Sequence, residues 1–230
     1  MDSLQGSKLP AETLRPFVHL NAAMSLDGKI ATYTGDSRMS SLQDLRRVHR
    51  LRASVDAIMV GLRTLINDDP KLTVKFFRGT NPSRIIVDSN ARTPLNSYVV
   101  RTAKDTPTII AVTLSASKRR VGQLEQRGVR VLSCGKGSHV SLKLLLTQLR
   151  SFGIRRLLLE GGGELNWSML SQGLVDKITV AITPRIIGGN ESTSLADGKG
   201  SALVIDGVKL KLVGTARYGP DLVVTFRVLN

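Results

Sequence analysis

Short apolar runs rich in β-branched residues alternate along this chain with segments of helical period, and that alternation leaves few folds open to it. FVHLNAAM (17–24), VDAIMVG (55–61), RIIVDS (84–89), PTIIAVT (107–113), VRVLS (129–133) and IRRLLLE (154–160) read as strands, because short continuous apolar runs closed by turn residues mark strands covered on both faces. Between them, SSLQDLRRVHRLRASV places Leu42, Leu45, Val48 and Leu51 on one helical face, with Ser41 as N-cap and Asp44 at N3, a variant of the capping box. SKRRVGQLEQRG reads as a helix ended by Gly128, and SLKLLLTQLRSFG as one opened by Ser141 and closed by Gly153. RTLINDDP reads as a short helical turn stopped by Pro70. Strand–helix–strand units in series predict an α/β fold, with a mostly parallel central sheet and helices on both faces. The C-terminus departs from that rhythm. VDKITVAITPRII (175–187) reads as one long strand, and KLKLVGTARYGPDLVVTFRVL as two strands about YGPD, which predicts an antiparallel hairpin at the sheet edge. One domain is expected over 16–230, preceded by a polar, flexible segment at 1–15.

A parallel sheet collects its ligand site at the carboxyl ends of its strands. The stretch LLLEGGGELNW (157–167) ends a predicted strand in Glu160, then gives up three side chains at Gly161, Gly162 and Gly163, then opens a helix. Bare backbone permits close approach and positive φ, and a helix N-terminus favours an anion, so together they form a phosphate seat. The plain structural alternative is a tight strand-to-helix turn with no ligand. The stretch is not the dinucleotide fingerprint G-x-G-x-x-G, since Asn166 stands where the last glycine belongs. Other polar loops fall at the same edge. GLRTLINDDP follows a strand; VDSNART puts Asp88, Ser89, Asn90 and Arg92 past another; SLDGK and GDSR contribute Asp27, Lys29, Ser37 and Arg38; and TPRIIGGNE contributes Arg185. Each of these also has an ordinary turn or solvated-charge explanation.

Several classes are excluded or set back. No apolar run approaches the roughly 18 residues of a membrane span. The N-terminal residues contain no apolar signal core, so a cytoplasmic protein is expected. No Walker A loop, H-E-x-x-H helix or zinc-type Cys/His cluster is present, and no metal is expected. The lone Cys134 is expected to be buried and inert, with only His19, His49 and His139 available as bases. The net charge of +15, from 33 Lys and Arg against 18 Asp and Glu, asks for anionic partners. Nucleic acid is one class, but aromatic residues are only 4% of the chain, too few for a stacking platform, and no basic run exceeds Lys118-Arg119-Arg120. A phosphorylated substrate and cofactor would use part of the charge.

Taken in order, NAAMSLDGKIAT, DSRMSS, VDAIMVGLRTLINDDPKLTV, NPSRIIVDS, LLLEGGGELNWSML, GLVDKITVAITPRIIGG and DGKG resemble the riboflavin-pathway pyrimidine reductases, from about residue 17 to the C-terminus. The resemblance implies a dihydrofolate-reductase-like fold, NADPH as cofactor with NADH less favoured, and a homodimer. The chain lacks the H-x-E and P-C-x-x-C motifs of the zinc deaminase often fused to this domain, so the stand-alone archaeal and fungal form is expected. Its implied substrate is 2,5-diamino-6-ribosylamino-4(3H)-pyrimidinone 5′-phosphate. A same-fold reductase acting on the uracil counterpart or a dihydrofolate-like substrate is the near alternative, and a basic nucleic-acid-binding protein the distant one.

The resemblance also assigns residues. Thr64 and Asp68 match a loop that contacts NADP, Val87, Asp88, Ser89 and Asn90 the adenosine side, Val140 a further cofactor contact, and Gly161 to Leu165 the pyrophosphate cradle. Glu164 departs from the smaller or hydroxylated residue usual there, and its carboxylate is expected to point away from a diphosphate. Lys29, Ser37 and Glu160 match substrate-side residues. Lys29 with Arg38 or Arg185 is expected to hold the 5′-phosphate, and either Glu160 or Asp27 to serve as the acid, alongside Lys29 in the catalytic set. Ser89, Asn90 and Arg92 suit an extra cofactor phosphate, which favours NADPH.

Overall fold

In the computed structural model, residues 14–77 and 79–229 are described. The expected flexible segment therefore lies almost wholly outside the described residues. Nine strands form one sheet: β1 Phe17–Ser25, β2 Ala57–Gly61, β3 Ser83–Val87, β4 Thr108–Val112, β5 Arg130–Ser133, β6 Arg156–Gly161, β7 Lys177–Thr183, β8 Lys209–Tyr218 and β9 Asp221–Leu229. Their order is β5-β4-β3-β2-β6-β1-β7-β9-β8. All neighbours from β5 to β7 run parallel, and β9 is antiparallel to both β7 and β8. The helices are α1 Leu42–Arg52, α2 Leu62–Asp68, α3 Tyr98–Arg101, α4 Lys118–Glu125, α5 Leu142–Ser151 and α6 Gly163–Ser171.

Strand alternation splits the core in two. Leu157 and Leu159 of β6 belong to one cluster with Val18, Leu20, Met59 and the α5 residues Leu145, Leu146 and Leu149. Leu158 belongs to the other, with Ile58, Val60, Ile86, Val99 and Leu124. The period-2 pleat sends successive side chains to opposite faces, which is why such strands read as unbroken apolar runs. The Ser41 hydroxyl accepts from Asp44 N–H and caps α1, and the Ser141 hydroxyl accepts from Leu144 N–H at α5.

Two features differ from expectation. β7 stops at Thr183 rather than running to residue 187, because Pro184 has no N–H for a ladder and the next backbone groups pair elsewhere: Leu26 N–H donates to the Arg185 carbonyl. The short helix α3, with Val99 and Val100 buried, carries too few residues to show a period. Arg84 is fully buried. Its guanidinium donates to the hydroxyls of Thr108 and Thr102 and to the carbonyls of Val99, Thr102 and Thr106. It holds α3 and the start of β4 to β3 with no carboxylate partner among the described residues. No helix among the described residues is long and apolar enough to cross a membrane.

Candidate active site at the carboxyl edge of the sheet

β6 lies between β2 and β1, so the loops leaving these three strands meet around its carboxyl end. The turn there is made by Gly161 at φ 91° and Gly162 at φ 51°. A Cβ at Gly161 would come within 3.0 Å of the Asn166 side chain, and one at Gly162 within 3.1 Å of the Thr64 hydroxyl. Positive φ and close neighbours both call for glycine. The first N–H groups of a helix have no intrahelical acceptor. At α6, Asn166 N–H is the first to bond back, to the Gly162 carbonyl at 2.9 Å. Gly162, the Thr64 hydroxyl of α2 and the positive end of the α6 dipole thus frame a seat suited to a phosphate.

At Gly163 the side a Cβ would occupy is filled by protein. The residue is buried, and a Cβ there would meet the Asp197 carboxylate and come within 2.6 Å of the Ser194 carbonyl. Asp197 N–H donates to the Gly163 carbonyl at 3.0 Å, and the Asn166 amide donates to the Leu195 carbonyl at 2.8 Å. Protein from the 192–197 loop fills the space that the sequence assigned to a diphosphate at this residue. Glu164 points outward as required: its side chain is 73% exposed and lies 3.5 Å from Arg63. Leu165 is buried, against Gly61.

The residues expected on the cofactor side share this edge. Past Val87, Asp88 is 1% exposed. One carboxylate oxygen accepts from Thr93 N–H at 2.6 Å and the Thr93 hydroxyl at 2.8 Å, and the other has no partner among the described residues. Ser89 and Val140 are distant in sequence but adjoin, Val140 N–H donating to the Ser89 hydroxyl at 3.2 Å. Asn90 and Arg92 are exposed. Asp68 accepts from the Ser37 hydroxyl at 3.0 Å, which joins a cofactor-side residue to a substrate-side one. Burial pushes the Asp68 carboxyl above its usual range, and Asp36 adds to this while the Ser37 bond opposes it.

On the substrate side, β6 carries a bulge: Leu159 pairs with Met59 and Gly161 with Val60, so Glu160 has no partner on β2. Bulges re-aim side chains, and here the Glu160 carboxylate meets Arg52 of α1. The guanidinium donates to both carboxylate oxygens at 2.7 and 2.6 Å, with side-chain exposures of only 17% and 12%. Arg52 was not among the expected site residues, since its partner stands far away in sequence. Its position in the last turn of α1 is the only trace the sequence bears.

The other expected acid, Asp27, accepts from the Ser25 hydroxyl at 2.6 Å and from the N–H groups of Ile187 and Gly188 at 3.1 and 2.7 Å. These bonds, that of Ser25 foremost, hold its carboxyl at about 2. Asp27 braces the loop after β7, an arrangement that does not suit a proton donor at neutral pH. Lys29 is similarly engaged, donating to the Ser192 carbonyl and the Ser194 hydroxyl, both at 3.1 Å. Arg38 pairs with Asp36 at 2.8 Å in solvent. It faces Arg185 across an open hollow of about 320 Å³ that Met39 and Ile187 also line. A second hollow of about 420 Å³ is lined by Ser37, Arg38, Asn67 and Asp68. Cys134 is buried, and burial pushes its thiol up to about 11, which leaves it inert at neutral pH.

Comparison with known proteins agrees with this architecture. The family model described as RibD C-terminal domain matches residues 16–224. The 2,5-diamino-6-ribosylamino-4(3H)-pyrimidinone 5′-phosphate reductase of Methanothermobacter thermautotrophicus is 48% identical over 218 residues, covering 94% of this chain and 99% of that protein. The protein of the same name from Aquifex aeolicus is 37% identical, covering 94% and 98% respectively. Among solved structures, Acinetobacter baumannii RibD superposes with a TM-score of 0.81 at 24% identity, over 94% of this chain and 59% of that one.

Proposed function

The chain belongs to the RibD C-terminal domain family, and from that membership we propose that it reduces the ribosylamino side chain of 2,5-diamino-6-ribosylamino-4(3H)-pyrimidinone 5′-phosphate to the ribitylamino form, with NADPH, in riboflavin biosynthesis. The observation that carries this is the near end-to-end match to reductases of that name. The glycine turn at the carboxyl edge is consistent with it.

When bound, the nicotinamide nucleotide supplies a hydride to the sugar carbon of the open-chain imine. The chain's own residues bind and orient. Gly161, Gly162, Thr64 and the N-terminus of α6 receive the diphosphate. Val87 to Asn90, Val140 and Asp68 line the adenosine side, with Glu164 and Leu165 flanking the seat. Ser37, Glu160 and Arg52 border the sugar. Of the three cations expected at the 5′-phosphate, Lys29 and Arg38 already have partners, so Arg185 takes that role, with Lys29 holding the loop beside it. The sugar ring oxygen released on opening and the imine nitrogen, which stays bonded to the carbon, take their protons from solvent or the substrate itself, since Asp27 is kept ionised and the oxygens of Glu160 are occupied by Arg52. The assay that tests the function follows NADPH absorbance with the diamino and uracil substrates side by side. Faster oxidation with the diamino compound is expected, and no oxidation with either overturns the assignment.

NADPH is preferred to NADH because Arg92 stands exposed beside Ser89 and Asn90, where a ribose phosphate would meet it. Arg92→Ala is expected to weaken NADPH binding roughly tenfold, the size of one solvent-exposed charge-assisted contact, and to leave NADH unchanged. Fluorescence titration of both nucleotides reads this, and an equal loss for both refutes it.

The homodimer is proposed through the β8–β9 hairpin. Leu210 and Leu212 of the edge strand β8 and Leu222 of its neighbour β9 share one face by the strand register and are 42%, 57% and 48% exposed, an apolar strip across the edge hairpin that calls for cover. Leu212→Asp is expected to yield a species of 24.9 kDa by light scattering where the parent gives twice that mass. A parent that is itself monomeric removes the proposal. A lone buried thiol suits a reducing compartment, and we place the enzyme in the cytoplasm.

A further inference from the structure

The last turn of α1 meets the segment after Pro70 with two side chains, His49 and Arg52, spaced one turn apart on the same helical face. His49 is buried, and its Nδ1 accepts the Lys75 N–H at 3.1 Å. Its ring stands edge-on to Phe76, 4.9 Å between centroids. Arg52 donates to the Thr73 carbonyl at 3.3 Å and, with its remaining donors, to Glu160. One helical turn thus suspends residues 73–76 and clamps the site carboxylate at once. A ring nitrogen that accepts carries no hydrogen, so His49 is neutral here with its proton on Nε2.

We propose that His49 is a positioning residue: its neutral ring fixes residues 73–76, and Lys75 with them, beside the Arg52–Glu160 pair, and does so only while Nδ1 is unprotonated. It rests on the reductase assignment for its kinetic consequence alone. Protonation would set a ring N–H against the Lys75 N–H, two donors facing each other, and add a third cation to Arg52 and Lys75. The charged groups that face the ring are Arg52 on its own helix, Lys75 on the packed segment and Glu160 on β6. Burial, with the two cations behind it, lowers the His49 pKa from 6.5, while Glu160 and the Thr73 backbone oppose. The folded value lies below the unfolded one, so the docked arrangement is intact above pH 6.5 and is lost as pH falls through the lowered value. Because the segment borders the site, its release impairs substrate capture more than hydride transfer.

The test compares the parent with His49→Asn, whose amide oxygen replaces the Nδ1 acceptor, and His49→Phe, which keeps a ring and removes the acceptor. The parent's kcat/KM is expected to fall on the acid side with an ionisation below 6.5, and His49→Asn to lose that limb with KM within about threefold of the parent. His49→Phe is expected to raise KM about tenfold with kcat within about twofold, and to speed hydrogen exchange at the Lys75 amide at every pH. If His49→Phe does not fold, His49→Gln, whose oxygen falls nearer Nε2, takes its place. Equal behaviour of the Asn and Phe variants, an acid limb that survives in His49→Asn, or unchanged exchange at Lys75 overturns the proposal. Amide exchange needs no substrate, so a parent without turnover would defeat the reductase assignment while leaving the role of His49 to be decided by exchange.

Discussion

Glu160→Gln is expected to lower kcat/KM by about a hundredfold, equivalent to about 2.7 kcal/mol of transition-state stabilisation, and to leave NADPH affinity within about threefold. The carboxylate and Arg52 are bonded at both oxygens and largely shielded from solvent. Removing one member of such a pair leaves an uncompensated charge, which typically costs about 3–5 kcal/mol of folding stability, a loss read by thermal melts separately from the kinetic one. An amide offers Arg52 one acceptor in place of two and no charge, so the guanidinium turns toward whatever anion is near, including the substrate. The cofactor is spared because Gly162 and Thr64 face each other at the turn, while Glu160 leaves the strand toward α1. Arg52→Gln is expected to match it, and the double variant to lose no more than the worse single, since residues acting as one unit are not additive. Steady-state kinetics with a fluorescence titration of NADPH measures all three. Unchanged kcat/KM in Glu160→Gln, or additive losses in the double variant, would show that the pair is not the functional unit.

That pair also marks the boundary of what the sequence discloses. Parallel strands announce themselves, because burial on both faces leaves an unbroken apolar run and the loop at each carboxyl end then has a known place. Ser41 and Ser141 disclose helix starts because a cap is a local bond. The bulge at Glu160 leaves no such mark: it arises where β2 and β6 fall out of step, and neither strand alone contains that fact. Arg52 reads as one more charge on a basic helix until the sheet brings Glu160 to it. Arg84 reads as the polar start of a strand, yet its donors satisfy carbonyls that only the folded chain gathers. Asp27 and Lys29 lie at the expected edge of the sheet but are bonded to the chain itself. Their charges now serve the 185–194 loop, whose path depends on Pro184 ending β7.

The glycines show the same limit most sharply, and Gly163→Val tests it. A missing side chain says that something comes close without saying what. A diphosphate at Gly163 predicts lost cofactor affinity in an otherwise normal protein. The structure predicts more. A Cβ at Gly163 collides with the Ser194 carbonyl and the Asp197 carboxylate, and that loop is tied onward by Leu195 N–H to the Gly28 carbonyl, by Ile30 N–H to the Thr193 carbonyl and by Lys29 to Ser192 and Ser194. A displaced loop therefore drags the Lys29 turn with it. Gly163→Val is expected to lower Tm by roughly 2–12 °C, from an overpacking cost of about 1–3 kcal/mol in a chain of this size. It is also expected to reduce kcat/KM about a hundredfold, through substrate KM as well as NADPH affinity. Gly162→Ala is the contrast: its Cβ faces the Thr64 hydroxyl at the open seat, so NADPH affinity falls while substrate KM holds. Thermal melts and kinetics of the two variants decide between the causes. A Gly163→Val protein with the parent's Tm and substrate KM, defective in NADPH alone, would return the diphosphate to Gly163 and remove the loop from the explanation.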